Sequence, residues 1–180
     1  MFPAIFLDRD GVIIENRPDY VRSWEDVAFI PGALAALAKA STSNYKIIIV
    51  TNQSAIGRGI IPYQAADEIN QRIVDVISNA GGRVDGVFMC PHAPEENCSC
   101  RKPQPGLLLQ AAQALDLDLS RSTLIGDALS DMQAGQAAGV CQRILVRTGR
   151  GDHQNSLPKP QGLDSYCVYD SLAEALDDCF

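Results

Sequence analysis

The chain has 180 residues, 46% of them hydrophobic and 21% charged, with a formal net charge of −7. This is the composition of a folded, soluble polypeptide large enough to bury a core, and it excludes a disordered chain. The acidic balance excludes nonspecific nucleic-acid binding, which depends on Lys and Arg neutralising phosphates.

No apolar run nears the ~20 residues of a membrane-spanning helix. No basic leader precedes a long apolar stretch at the N-terminus, so the expected location is the cytoplasm, with no membrane partner. The first expected strand is Ala4–Leu7, which ends abruptly in Asp8-Arg9-Asp10-Gly11. A helix is expected over Pro31–Ala40, with proline in its first turn and a run of Ala and Leu. Lys46–Val50 (KIIIV) is apolar on both faces after its lysine, which suits a central strand of a covered parallel sheet. Tyr63–Ala80 keeps Ile69, Ile73, Val76 and Ile77 on one stripe and stops at Gly81-Gly82, as an amphipathic helix does. Val87–Met89 reads as a strand, Gly106–Leu115 as a helix, and Thr123–Ile125 as a strand. Ser130–Ala138 reads as a helix and Arg143–Val146 as a strand. Gly149–Gly162, with its Gly, Pro, Gln and Asn, reads as a loose loop. A short edge strand near Tyr166–Val168 and a helix over Ser171–Asp178 complete the set. Strands alternating with helices imply right-handed crossovers and one domain over residues 1–180: a three-layer, doubly wound, mostly parallel α/β sheet.

In such sheets, functional residues gather beyond the carboxyl ends of the strands. Here the strands are followed in turn by Asp8-Arg9-Asp10-Gly11, by Thr51-Asn52-Gln53-Ser54, and by a loop from Cys90 to Arg101-Lys102-Pro103. Gly126-Asp127 follows the fourth, with Asp131 four residues on, and Arg147-Thr148-Gly149 follows the fifth. Each stretch alone is ordinary turn, capping or surface-charge chemistry. Their recurrence after every strand describes one cleft. Asp8, Asp10 and Asp127 are hard oxygen donors, suited to Mg²⁺ with a substrate phosphate completing the shell. Asp8 is then placed to attack phosphorus and form an aspartyl-phosphate. Asp10 protonates the leaving alkoxide and later deprotonates water. Thr51 and nearby N–H groups hold phosphoryl oxygens, and Lys102 offsets transition-state charge.

Six cysteines divide unevenly: Cys90, Cys98 and Cys100 cluster, while Cys141, Cys167 and Cys179 are scattered and read as small core or surface residues. With His92 the cluster has the pattern C-x-H-x5-C-x-C. Three thiolates and an imidazole complete a tetrahedron for Zn²⁺ with no open position, so the expected role over residues 90–103 is structural. That loop has little apolar content to order it, and a metal would supply the order. The opposing reading is three buried thiols beside an unrelated histidine.

The motifs FLDRDGV, Thr51-Asn52, Lys102 and Gly126-Asp127-x-x-x-Asp131 resemble those of the haloacid dehalogenase-like phosphohydrolases, over Ala4 to about Gly149. CPH…CSCRKPQPG narrows the resemblance to small members without a large cap domain that act on phosphorylated sugars or histidinol phosphate. The resemblance implies a nucleophile at Asp8 and a general acid/base at Asp10. It implies Mg²⁺ held by Asp8, Asp127 and the Asp10 carbonyl, with Asp131 in support, and Zn²⁺ on Cys90, His92, Cys98 and Cys100. Thr51, Asn52 and Lys102 would contact phosphate, and Arg101 would help recognise substrate. Covering loops at Asn16–Tyr20 and Ser54–Gly59 would add Asn16, Tyr20, Gln53, Ser54 and Arg58. The implied substrate is a heptose 1,7-bisphosphate cleaved at the 7-phosphate, with histidinol phosphate or another small sugar phosphate as the alternative. A catalytically silent zinc-stabilised binding module is the contrasting reading, and the presence of every residue the chemistry needs speaks against it. Two positions depart from the pattern: Ala128 stands where a lysine follows the magnesium aspartate, and Asp19 where a glycine precedes Tyr-Val. With no long amphipathic seam, a monomer is expected.

Overall fold

The computed structural model describes residues 1–179. In chain order the elements are β1 (Ala4–Leu7), α1 (Ala33–Ala40), β2 (Lys46–Asn52), α2 (Ser54–Gly57), α3 (Tyr63–Asn79), β3 (Gly86–Cys90) and α4 (Gly106–Leu115). They continue with β4 (Thr123–Gly126), α5 (Leu129–Ala138), β5 (Gln142–Val146), α6 (Gly151–Ser156), β6 (Cys167–Tyr169) and α7 (Leu172–Asp177).

The strands explain their own composition. Along β1, Ile5 and Leu7 face one side of the sheet while Ala4 and Phe6 face the other, as a two-residue period requires. β2 repeats this with Ile47 and Ile49 against Ile48 and Val50, which is why KIIIV leaves no polar position. α1, α3 and α7 cover the first face through Leu37, Ile73, Ile77 and Leu172. α4 and α5 cover the second through Leu107, Leu108, Ala111 and Ala134.

All six strands run parallel in the order β3-β2-β1-β4-β5-β6. The chain winds outward from β1 to β3, then returns to lay β4 on the other side of β1. That reversal opens a crevice past the carboxyl ends of β1 and β4. Leu7 pairs in register with both Ile49 and Ile125, so β1 and β4 end at nearly one level while β2 runs on past it to Asn52. Between β1 and α1, residues 8–32 carry only turns, isolated bridges and a 3₁₀ turn at Trp24–Asp26.

Several boundaries differ from the sequence reading. β2 runs on through Thr51 and Asn52, which pair with Met89 and Cys90, so both are ladder residues rather than turn residues. α1 begins two residues after Pro31, because Gly32 caps it at φ +84°. The segment 149–162 is not a loop throughout: α6 occupies Gly151–Ser156. Gly151 lies so close to the Val146 carbonyl that a Cβ would overlap it, which lets this short polar helix seat on β5.

Candidate active site

The turn after β1 depends on Gly11, which sits at φ +88° with its Cα against Asp127. A Cβ there would overlap the Asp127 carboxylate. Asp8 is buried at the start of this turn, its N–H donating to the Ile125 carbonyl (3.0 Å). Lys102 reaches it from the end of the Cys90–Lys102 loop. Its Nζ donates to Asp8 Oδ1 (2.8 Å) and to the Val50 carbonyl (2.9 Å), and lies 2.6 Å from Asp131 Oδ1. Asp131 also caps α5, its Oδ2 accepting from the Ala128 N–H (3.0 Å). Gly126 leaves the room: a Cβ there would overlap the Asp131 side chain. Burial opposes a charge on Lys102, but Asp131 and Asp8 outweigh it and raise its pKa. For Asp8, burial dominates and pushes the carboxyl up to about 7; Lys102 pulls it down, while Asp131, Asp127 and Asp10 add to the rise.

Asp10 turns away from that cluster. Arg9 Nε and Nη2 grip its Oδ2 (2.9 Å) and Oδ1 (3.2 Å) as a fork. Gln53 Nε2 donates to Asp10 Oδ2 (3.0 Å) and to Thr51 Oγ1 (2.8 Å). Arg9 is 1% exposed, and its Nη1 donates to Asn70 Oδ1 on α3 (2.7 Å). Neither Arg9 nor Asn70 stood among the sequence candidates.

Asp127 is fully buried after β4. Its Oδ2 accepts from Asn16 Nδ2 (2.7 Å), the Arg150 N–H (2.9 Å) and Arg150 Nε (3.3 Å), and its Oδ1 from Arg150 Nη2 (3.1 Å). The turn after β5 packs on the aspartate turn, with Thr148 Oγ1 donating to the Gly11 carbonyl (2.6 Å). Carboxylate oxygens of Asp8, Asp127 and Asp131 lie within 4.8 Å of one another. Three buried carboxylates so close, one pushed up to about 7, form a hole that suits a hard divalent cation. The Asp10 carboxylate is outside this group.

A cleft of about 690 Å³ opens above, lined by Asp8, Asp10, Asn16, Tyr20, Asn52, Gln53, Ser54, Arg101 and Lys102, joined by Arg17 and Arg150. Thr51 lies beneath it, 1% exposed. Asn52 is held in a reciprocal pair with the Lys102 main chain, at 3.1 Å in both directions. Arg58 does not line the cleft: its guanidinium pairs with Glu95, 3.7 Å away, because α2 turns the residue outward. Arg150 escaped the sequence reading because 149–162 looked unstructured.

Cys90, His92, Cys98 and Cys100 converge at the far end of β3. Cys100 Sγ lies 3.2 Å from Cys90 Sγ and 3.4 Å from Cys98 Sγ, and His92 Nδ1 lies 3.3 Å from Cys100 Sγ. Cys90 Sγ is 3.6 Å from both Cys98 Sγ and His92 Nδ1. Metal arms of ~2.3 Å give tetrahedron edges of ~3.8 Å, so the four donors fit zinc. Burial opposes ionisation of Cys98, but hydrogen bonds from the Cys100 thiol, the Arg101 N–H and the Cys90 thiol bring it down to about 7. The loop is tied to its neighbours. Gln53 N–H donates to the Cys90 carbonyl and Gly57 N–H to the Pro91 carbonyl, both at 2.8 Å.

A family model described as HAD-hydrolase-like matches residues 99–175. The chain is 39% identical to the D-glycero-beta-D-manno-heptose-1,7-bisphosphate 7-phosphatase of Helicobacter pylori, over 97% of this chain and 95% of that one. It is 35% identical to the same-named enzyme of Pseudomonas aeruginosa, over 94% and 93%. The crystal structure of D,D-heptose 1,7-bisphosphate phosphatase from Bordetella bronchiseptica, complexed with magnesium and phosphate, matches with a TM-score of 0.90 at 34% identity, covering 98% of this chain and 97% of that one. Clustered hard oxygen donors beside a buried lysine are tools for handling a phosphoryl group, and they place the chain in the class of metal-assisted phosphohydrolases. The chain belongs to the haloacid dehalogenase-like hydrolase family.

Proposed function

We propose that this chain is a phosphomonoesterase acting through Asp8, and that it removes the 7-phosphate of D-glycero-β-D-manno-heptose 1,7-bisphosphate. The observation that carries the chemistry is Lys102 Nζ, buried between Asp8 (2.8 Å) and Asp131 (2.6 Å) at the crevice of the sheet. The substrate rests on the 35% and 39% identity to enzymes of that name.

Asp8, Asp127 and the Asp10 carbonyl would hold Mg²⁺, which supplies the positive charge that lets a phosphate approach these aspartates. The protein's own groups do the rest. An Asp8 oxygen attacks phosphorus as the bond to the sugar oxygen breaks, and the Asp10 carboxyl gives its proton to that oxygen. Water then attacks the aspartyl-phosphate and loses a proton to Asp10, releasing inorganic phosphate and restoring Asp8. Arg9 and Gln53 fix the direction of Asp10 throughout. Lys102 stays charged and steadies the phosphoryl oxygens.

Replacement Asp8→Asn is expected to lower kcat by at least ~1,000-fold, as loss of a nucleophile does; retained activity would overturn the covalent route. A panel of heptose 1,7-bisphosphate, histidinol phosphate and short sugar phosphates, ranked by kcat/KM, tests the substrate. Highest efficiency on histidinol phosphate would replace the heptose reading, and inactivity on all would favour a binding module. The working form we infer is a cytoplasmic monomer folded as one domain, in a compartment whose reducing conditions keep the zinc thiols free. A dimer in size-exclusion chromatography would overturn the monomer.

A further inference from the structure

Both oxygens of Asp127 are engaged by protein donors. Oδ2 takes the Asn16 amide, the Arg150 N–H and Arg150 Nε, while Oδ1 takes Arg150 Nη2 alone among the described residues, at 3.1 Å. The main-chain bond is fixed by the turn after β5. The guanidinium is not: the Arg150 side chain is 55% exposed although its partner is wholly buried. A divalent cation held by Asp8 and Asp127 requires an Asp127 oxygen, and a guanidinium on that oxygen excludes it by occupancy and by charge. The main-chain bond to Oδ2 would hold Asp127 in place while Oδ1 changes partner.

Of the other cations of the cleft, Lys102 is the most tightly held, and Arg101 and Arg17 each rest one donor on a carbonyl. Lys102 Nζ is enclosed by Asp8, Asp131 and the Val50 carbonyl. Arg101 Nη1 donates to the His92 carbonyl (3.3 Å), and Arg17 Nε to the Asp26 carbonyl (2.7 Å). A guanidinium displaced from Asp127 would come free at the cleft wall with all its side-chain donors available.

We propose that Arg150 is a place-holder for the divalent cation. Its guanidinium neutralises Asp127 while the metal is away, yields Oδ1 when the metal binds, and then turns into the cleft to hold a phosphate of the substrate other than the one being cleaved. The second half rests on the bisphosphate reading above; the first does not. Removing Arg150 removes a competitor for Asp127 and a positive charge beside the metal, so both effects favour magnesium.

The test is calorimetric titration of Mg²⁺ into the zinc-loaded protein without substrate, comparing wild type with Arg150→Ala. The variant is expected to bind Mg²⁺ roughly tenfold tighter, the scale of one charged hydrogen bond. Unchanged or weaker binding overturns the place-holder. In steady-state assays, loss of kcat/KM on heptose 1,7-bisphosphate is expected to exceed the loss on heptose 7-phosphate by at least ~10-fold. Equal losses overturn the substrate contact. Arg150→Gln, which keeps the aliphatic stem without the guanidinium or its charge, stands in if the alanine variant does not fold. A wild type that fails to distinguish the two substrates overturns the substrate reading, and the magnesium titration then decides the place-holder by itself.

Discussion

Arg9 is the bulkiest of the side chains withdrawn from water, and it stands between two aspartates. Its guanidinium is balanced by Asp10 and by Asn70, so the orientation of Asp10 depends on a residue 60 positions further along the chain. Asn70→Ala would leave Arg9 Nη1 without its acceptor in a dry site, at a cost of about 1–3 kcal/mol. The expected result is a lowered Tm and a fall in kcat with KM little changed, with Asn70→Asp, which keeps the acceptor, recovering most of both. An unaltered kcat would show that Asp10 needs no such support. Gly11 is equally constrained. In Gly11→Ala a methyl group would press on the Asp127 carboxylate at a φ of +88°, so magnesium binding measured by calorimetry is expected to fall along with activity.

Asp8, Asp10 and Asp127 were legible because each closely follows an apolar strand that delivers it to one edge, and Lys102 because the loop that leaves β3 at Cys90 ends on it. Arg9 and Asn70 were not, because an arginine beside aspartates and an asparagine on a helix are ordinary surface residues until packing encloses them. The signal for Asn70 lay in its position: it follows Ile69 on the buried stripe of α3 and is itself 4% exposed. Asp131, read as supporting the metal, lies in the carboxylate group, with one oxygen capping α5 and the other facing Lys102.

At the level of elements, the zinc loop and α2 act as one body. Four hydrogen bonds tie the loop to the end of β2 and to α2: two exchanged between the Asn52 amide and the Lys102 main chain, and one each from the Gln53 and Gly57 N–H groups. Gly57 touches the loop so closely that a Cβ would overlap the Ala93 N–H and the Glu96 carboxylate. Zinc loss is therefore expected to displace Lys102 and Gln53 together. Cys98→Ser should lower zinc content, Tm and kcat/KM in parallel; full activity in zinc-free protein would separate the two. Gly57→Val should retain zinc in a colorimetric chelator assay yet lose activity, since it separates the bodies without removing a ligand. The convergence of Cys90, His92, Cys98 and Cys100 was readable from their spacing, since the loop offers little else to order it. α6 was not readable, because its six residues carry no apolar stripe and it is held by the fit of Gly151 against β5.

Over the whole molecule, the parallel order was implied by strands apolar on both faces, while the side on which each neighbour lies came from packing. One clamp at the opposite edge of the sheet bears on stability. Asp85 donates its N–H to the Ile47 carbonyl (2.7 Å) and accepts from the Ile47 N–H (2.9 Å), Lys46 (3.1 Å) and Arg83 (3.0 Å). Burial opposes its charge, but these donors outweigh it and hold the carboxyl below its ordinary 3.8. A lowered acid stabilises the fold fully above 3.8, and that contribution is lost as pH falls through the folded value. Asp85→Asn is expected to lower Tm by about 2–8 °C at pH 7, with the gap to wild type closing below pH 4. A gap that stays constant across pH would assign the effect to shape rather than charge.

Lys102 is one of four lysines in the chain and is 4% exposed, whereas Lys39 and Lys159 lie at the surface and Lys46 is half-buried. Amine-directed acylating reagents act on neutral, accessible amines, and Lys102 is neither, being charged and locked between two carboxylates. The protein should therefore tolerate labelling or surface immobilisation through its lysines, with the nucleophile's neighbour left unmarked.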